Sequence, residues 1–276
     1  MERVINFLKL TFMKKILLTI VFVGLFIAGA NAQFGKIKLD KAVSAATKGA
    51  KSMMLSDADV IAYTNEYMEW MDNNNPLCKT TDTDQGKKAV AKRLAAIASA
   101  IPADLAKELH LNVQAYYVSD VNAFACANGD VRVFAALMDL MTDDQILAVI
   151  GHEIGHVVNK DSKDAFVAAL RISALKDAAG AVGGNTVSTL TDSQLGDLAE
   201  ALSNAQFSQK QESAADAYGY EFLKRCGKDP SNMASSLGVL LKLQQEAGSP
   251  ENSKFSKLFS SHPDLQKRID ALNKKS

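Results

Sequence analysis

The sequence predicts an α+β fold that is mainly helical, with one small β-sheet beside a helix carrying the motif His152-Glu153-Ile154-Gly155-His156. Apolar residues recur at helical spacing through most of the chain after residue 56, which predicts amphipathic helices. Between residues 111 and 134 the apolar period changes to two, which predicts short strands. The motif lies late in an apolar-periodic run from Thr142 to Asn159 and therefore belongs to a helix.

Residues 1–32 have the pattern of a secretory signal peptide. The basic stretch Met13-Lys14-Lys15 precedes an apolar run from Ile16 to Ala30 and a small-x-small site, Ala30-Asn31-Ala32. We expect cleavage after Ala32; an uncleaved membrane anchor is the alternative, although the run is shorter than a typical span. No later segment reaches a spanning length, so we expect no stable membrane span after cleavage and a periplasmic or secreted protein.

Composition limits the classes of partner. The 276 residues are 47% hydrophobic, enough for a sizeable core, and 31 basic residues balance 31 acidic ones, so no nucleic-acid partner is expected. Export implies an oxidising compartment, and the odd set Cys78, Cys126 and Cys226 permits one disulfide plus one free thiol. The pairing and the oligomeric state stay open.

The first half of the chain predicts helices followed by strands. Residues 33–55 are a lead-in segment, with one helix around residues 41–54. Ser56 offers an N-cap for a helix to about Asp72, and a second helix runs from Gln85 to Ala100. Strands are then expected at 111–117, 121–127 and 131–134, with Asn128-Gly129-Asp130 supplying turn chemistry between the last two. His110, just before the first strand, is interpreted as a loop histidine.

The motif helix opens with a capping box in which Thr142 is the cap and Gln145 lies three residues on. Asp161 starts a further helix to about Ala179, residues 181–185 form a break, and helices follow at 191–203 and 205–226. The insert 161–204 is amphipathic and is interpreted as packing or as a lid.

The two motif histidines are four residues apart, so their rings leave one face of the helix and can bind one Zn²⁺ at roughly 2.0–2.1 Å, with Glu153 as base. A zinc protease needs a third protein ligand, and the metzincin continuation is absent after His156. We favour Glu212, with Asp216 one turn later accepting a hydrogen bond from a ligand histidine. The competing third ligands are Glu200, Glu221 and His262.

Several motifs then occur together in a familiar order: the His152–His156 motif, Glu212 with Asp216, Gly227-Lys228-Asp229-Pro230, Ser261-His262-Pro263 with Arg268-Ile269, and the upstream Val121-Asn122-Ala123-Phe124-Ala125 strand. This set resembles the zinc endopeptidase family of HtpX and the CAAX prenyl protease (peptidase family forty-eight), most closely its soluble, exported bacterial members of the LoiP and BepA type. The resemblance covers roughly Ser56 to the C-terminus.

The resemblance implies that residues 56–276 form a zinc metallopeptidase domain of the gluzincin class of zincins. It implies His152, His156 and Glu212 as ligands of one zinc ion per chain, Glu153 as catalytic base and Asp216 as hydrogen-bond acceptor. His262 and Arg268 would lie near the site and help to bind substrate or the oxyanion; the alternative for His262 is a helix-capping role before Pro263. The chain departs from the family in having Cys126-Ala127-Asn128-Gly129 in place of a Pro-Gly-Gly turn, and in lacking a further histidine within 159–163.

The resulting hypothesis is an exported metalloendopeptidase that hydrolyses peptide bonds of unfolded or damaged envelope proteins. The strand Asn122-Ala123-Phe124 would pair with an extended polypeptide substrate. Two alternatives stay open: a zinc-stabilised, chaperone-like binding protein with vestigial protease activity, and an exopeptidase on the same site.

Overall fold

The computed structural model describes residues 55–176, 189–246 and 261–275, without the side chains of 174–176. The predicted signal peptide, the helix around 41–54 and the break at 181–185 lie outside the described residues. The helices of these ranges are α1 Asp57–Asn74, α2 Gln85–Ala98, α3 Ala103–Glu108, α4 Ala135–Met138, α5 Asp143–Val158, α6 Asp161–Lys176, α7 Asp192–Ser203, α8 Gln209–Arg225, α9 Asn232–Glu246 and α10 Leu265–Asn273. The strands are β1 Asn112–Tyr116, β2 Ala123–Ala125 and β3 Asp130–Phe134. None of these helices has the length and apolarity that crossing a membrane requires.

The three strands form one mixed sheet in the order β1-β3-β2. β1 pairs with β3 in parallel, with Ala115 opposite Val133, and β2 pairs with β3 antiparallel, with Phe124 opposite Arg132. The strand expected at 121–127 is shorter than predicted, because the Gly129 N–H donates to the Cys126 carbonyl and closes the turn there. β2 is therefore an edge strand of this sheet.

Capping boxes set where the long helices begin. Thr142 caps α5 as predicted, and its side chain accepts from the Gln145 N–H. The helix expected from residue 205 begins instead at Gln209, because Ser208 is the cap residue and exchanges hydrogen bonds with Gln211. This box satisfies the N–H groups of Ser208 and Gln211 and fixes the position of Glu212 within the first turn.

The described residues form two apolar cores, and both contribute side chains to the wall of one cavity of about 420 Å³. The larger one joins the sheet to α2, α5, α8, α9 and α10. The smaller one joins α1 to α6 and α7, through residues such as Tyr67, Phe166 and Leu198. The described part of the insert 161–204 therefore packs against α1 through this smaller core.

Helices α5 and α8 pack with their backbones unusually close, because glycines lie at the contact. A Cβ at Gly155 would lie 2.9 Å from Ala215 Cα, and one at Gly219 would lie 3.2 Å from the backbone nitrogen of His152. This close approach brings the first turn of α8 over the last turns of α5, where both motif histidines lie.

A buried arginine ties the sheet to the end of α1. Arg132 is 1% exposed, and its Nε and Nη2 atoms donate to Asp72 at 3.0 and 2.9 Å. The Tyr116 hydroxyl donates to the same carboxylate at 2.6 Å. Removing one member of such a buried pair costs about 3–5 kcal/mol, so the end of α1 is firmly held against the sheet.

All three cysteines are free thiols, so the disulfide that their number permits is not formed. Cys126 is buried, with its Sγ atom 3.5 Å from Met68 Sδ, and packs as a small core side chain. His110 is an exposed loop residue with φ 51°, as the sequence predicts.

Candidate metal centre

Four buried side chains converge on one point between α5, α8 and the segment before α10. They are His152, His156, Glu212 and His262, and their ligand atoms all lie within 4.8 Å of one another. Of the other predicted third ligands, Glu221 pairs with Lys224 at 2.9 Å, and neither it nor Glu200 belongs to this cluster.

The spacing of the first three donors suits a metal ion. The Nε2 atoms of His152 and His156 are 3.1 Å apart. His156 Nε2 lies 3.3 Å from Glu212 Oε1, and His152 Nε2 lies 3.6 Å from Glu212 Oε2. In a tetrahedron with bonds of roughly 2.0–2.1 Å, ligand atoms are about 3.3–3.4 Å apart. The three distances scatter around that value, so the donor set fits a tetrahedrally bound ion.

Carboxylates hold the other nitrogen of each histidine. His152 Nδ1 lies 2.9 Å from Asp216 Oδ1, and His156 Nδ1 donates to Asp161 Oδ2 at 3.0 Å. Since the Nδ1 atoms carry the protons, the Nε2 lone pairs of both rings face one another across 3.1 Å. Two facing lone pairs repel unless a cation lies between them, which is a further reason to assign a metal here.

Asp161 is a site residue that the sequence analysis missed. It lies at the start of α6, as predicted, but its buried carboxylate also accepts a hydrogen bond from Gln211 Nε2 at 2.9 Å. A helix-starting aspartate five residues after His156 carries no local signal for this second role.

Arg268 pairs with two carboxylates of the metal centre, those of Asp216 and Glu212. Its Nε and Nη2 atoms donate to Asp216 at 2.7 and 2.6 Å, and Nη1 pairs with Glu212 Oε2. The residue is 5% exposed and does not line the cavity. The oxyanion or substrate-binding role expected for Arg268 is therefore not supported; the guanidinium is already occupied by the two carboxylates and offsets their charge.

The local electrostatics favour ionised carboxylates and a neutral His152. Burial lowers the pKa of His152. Burial also opposes protonation of His156, but the surrounding carboxylates of Glu212, Glu153 and Asp161 together outweigh it and raise the pKa of that ring. Burial alone would raise the pKa of Glu212, but His156 and His262 hold it well below its ordinary value. Burial likewise opposes ionisation of Asp216, yet Arg268 and His152 lower its pKa to about 2. Deprotonated carboxylates and a neutral imidazole are the forms that bind metal.

Glu153 and His262 lie at the edge of the metal centre, and both also line a neighbouring cavity. Glu153 is 5% exposed, and its Oε1 atom is 3.8 Å from His262 Nε2. His262 Nδ1 lies 3.0 Å from Glu212 Oε1, so the ring is turned into the cluster. At the N terminus of α10 the cap position is taken by Asp264.

A cavity of about 420 Å³, here called the aromatic cavity for the rings in its wall, opens beside these two residues. Its wall contains Glu153, His262 and the predicted substrate strand Asn122, Ala123 and Phe124. The remaining aromatic rings of the wall are Tyr67, Trp70, Phe134, Phe166 and Phe207. Among the described residues that line it, none is lysine or arginine.

A helix with two histidines around a glutamate, completed by a carboxylate from a second helix and open to a cavity, defines a metalloprotease site. Comparison with known proteins agrees. The model of peptidase family M48 matches residues 84–276, and the chain belongs to that family. It is therefore a metal-dependent protease whose substrates are polypeptides, and the predicted family and mainly helical α+β fold are confirmed.

Metalloprotease LoiP of Escherichia coli (strain K12) is 38% identical over 221 residues, which are 80% of this chain and 82% of that protein. Metalloprotease YcaL of the same organism is 35% identical over 254 residues, 92% of this chain and 94% of that protein. A crystal structure of S. mikatae Ste24p matches over 84% of this chain and 62% of that chain, at 19% identity and a TM-score of 0.40.

Proposed function

We propose that the protein is an exported zinc metalloendopeptidase that cleaves internal bonds of unfolded or damaged envelope proteins. The observation that carries this proposal is the buried donor cluster beside a cavity whose wall contains Glu153 and an edge strand. Export is inferred from the predicted signal peptide at 1–32.

His152, His156 and Glu212 would hold one zinc ion, since two imidazoles and one carboxylate form an established catalytic donor set for zinc. A zinc ion bound there supplies Lewis acidity, which activates water and polarises a peptide carbonyl. Asp216 and Asp161 keep both rings in the tautomer that presents Nε2, and Arg268 balances the charge of Glu212 and Asp216.

Glu153 is the general base of the proposed reaction. Its carboxylate accepts the proton of the attacking water and returns it to the leaving amine, which balances the proton over one hydrolysis. We assign His262 to the substrate side, next to Glu153, because three protein donors leave a coordination position open for water and a fourth would close it.

The substrate backbone is proposed to pair with the outer edge of β2. The Asn122 carbonyl accepts from the Phe134 N–H at 3.0 Å, and the Cys126 N–H donates to the Asp130 carbonyl at 2.8 Å, so both face β3. Because backbone groups alternate along a strand, those of Ala123 and Ala125 point to the outer edge. The Ala123 N–H donates to Asn122 Oδ1 at 3.0 Å, which leaves its carbonyl and both groups of Ala125 directed outward.

Main-chain pairing of this kind tolerates varied side chains but requires an extended chain. A folded substrate would have to give up its own backbone hydrogen bonds to occupy the edge. This supports unfolded proteins as the substrate class.

The test compares the parent protein with Glu153→Gln on reduced, unfolded casein, with products read by mass spectrometry. Cleavage at internal bonds, loss on chelation and return with zinc are expected for the parent. Glu153→Gln should bind about one zinc per chain and cleave at least roughly a hundredfold more slowly, as expected for loss of a general base. Products shortened only from one terminus would show an exopeptidase. Suppressed casein aggregation without turnover by the parent would show a binding protein.

The ligand assignment is tested by metal analysis of His262→Ala and His152→Ala. We expect His262→Ala to keep about one zinc ion and lose activity, and His152→Ala to lose the ion, since it removes a donor. Loss of zinc from His262→Ala as complete as from His152→Ala would contradict the three-donor assignment.

A further inference from the structure

A second cavity lies on the other side of Phe207 from the aromatic cavity. This α6/α7 groove, of about 590 Å³, is lined by Asp161, Asp164, Ala165, Ala168, Ala169, Ile172, Glu200, Ala201, Asn204, Ala205, Gln206, Phe207 and Gln211. Three residues line both cavities: Ala165, Ala205 and Phe207. Of these, Phe207 alone has a side chain larger than a methyl group, so its ring is the partition between the two spaces.

Contacts with the metal centre hold this ring in place. It stacks on His156 with centroids 4.0 Å apart and planes 16° from parallel, and it lies 5.6 Å from the His262 ring. The Phe207 N–H donates to the Ser261 carbonyl at 3.2 Å, which ties the backbone to the segment that carries His262. The ring is only half-buried, so one side of it forms cavity wall.

The chemistry of the wall changes across the partition. The aromatic cavity has five further aromatic rings, and its described lining residues include no lysine or arginine; its titratable side chains besides Tyr67 and Cys126 are Asp120, Glu153 and His262. The α6/α7 groove carries the carboxylates of Asp161, Asp164 and Glu200. Asp161 already accepts hydrogen bonds from His156 and Gln211, and Asp164 is exposed.

We infer that Phe207 is a specificity-determining residue, which closes the far end of the aromatic cavity and limits it to apolar substrate side chains of moderate length. This inference rests on the proposed function, since it concerns the side chain that enters the cavity beside Glu153 and His262. A long basic side chain is excluded because the ring separates its charged end from the carboxylates of the groove. Without the ring, the apolar stem of a lysine or arginine would cross the former partition, with its charge on the acidic side.

The experiment measures kcat/KM on quenched peptides that are identical except for leucine or arginine at each position flanking the scissile bond. For the parent we expect leucine to be preferred at the position whose side chain enters the aromatic cavity. Phe207→Ala should raise the arginine-to-leucine ratio there by roughly tenfold or more, the scale on which pocket size discriminates side chains. Phe207→Trp enlarges the partition and should lower the ratio or leave arginine uncleaved.

Trp70→Ala is the matched control, because Trp70 lines the aromatic cavity and not the groove. It should weaken cleavage of the leucine peptide without a gain for arginine. Zinc content and circular dichroism of each variant are measured alongside, since Phe207 also contacts His156. If Phe207→Ala does not fold, Phe207→Leu takes its place, since leucine also removes the ring of the partition and should raise the ratio.

A ratio that stays at the parent value in the folded, zinc-loaded variant that lacks the Phe207 ring would overturn the inference and leave the proposed function intact. An equal gain for arginine in Trp70→Ala would also overturn it, since the partition would then not be specific to Phe207. A parent protein that holds zinc and cleaves none of the peptides nor casein would instead refute the proposed function itself.

Discussion

The substitution Gly155→Ala tests whether close packing of α5 on α8 is what assembles the metal centre. The added Cβ would lie 2.9 Å from Ala215 Cα, 3.0 Å from the Ala215 carbonyl oxygen and 3.1 Å from Tyr218 Cβ. Ordinary contact begins at 3.4 Å and two of these atoms are backbone, so the helices must separate by about 0.5 Å. Glu212 would move with α8, away from the two histidines on α5.

The expected magnitudes follow from this displacement. Overpacking costs about 1–3 kcal/mol, and alanine in a helix interior regains about 1 kcal/mol over glycine, so the free energy of unfolding should fall by up to about 2 kcal/mol. Metal–ligand distances tolerate only about ±0.2 Å, so the zinc Kd should rise by at least about tenfold, equivalent to about 1.4 kcal/mol.

The assays are urea unfolding of the metal-free protein and zinc titration against a competing chelator. Gly238→Ala, on α9, is the control, because its added Cβ would meet nothing within 4 Å. It should stabilise the fold by up to about 1 kcal/mol and leave the zinc Kd unchanged. If Gly155→Ala behaves like Gly238→Ala in both assays, the packing argument is refuted.

Two further predictions concern Asp161 and the thiols. Asp161→Asn should weaken zinc binding by roughly ten- to a hundredfold, since a neutral amide replaces the charged carboxylate that accepts the His156 Nδ1 proton. Asp164→Asn, three residues on and exposed, should not weaken it; chelator competition measures both. Burial raises the pKa of Cys126 to about 12, so iodoacetamide at pH 8 should label half-exposed Cys226 and spare Cys126 in the native protein, with mass spectrometry as the readout. The buried Cys126 thiol stays protonated in the folded protein. Its contribution to stability is therefore constant below the pKa of the unfolded thiol, about 8.5, and is lost as pH rises above that value. Labelling of native Cys126 as fast as Cys226 would contradict the burial of Cys126.

Local patterns predicted the elements that carry the site but not all of the others. The capping box at Thr142 and the alternation within β3 are local signals, and both elements appear with their boundaries within one residue of those expected. Short helices such as α3 and α4 were not predicted, because four to six residues carry too little periodicity to distinguish them from loops. The helices α9 and α10 were also not predicted.

The sequence by itself determined the motif on α5 and a short set of acidic candidates, because a spacing of four residues places both histidines on one helical face whatever the rest of the fold does. The sequence favoured Glu212 among those candidates, and the tertiary structure places Glu212 and His262, but not Glu221, beside those histidines. The tertiary structure also turned Arg268 toward carboxylates and placed Asp161 and Phe207 against His156. These outcomes depend on how closely α8 approaches α5 and on which side chains then fill the space around the rings. Such distances come from packing between segments far apart in the chain, and no local pattern encodes them.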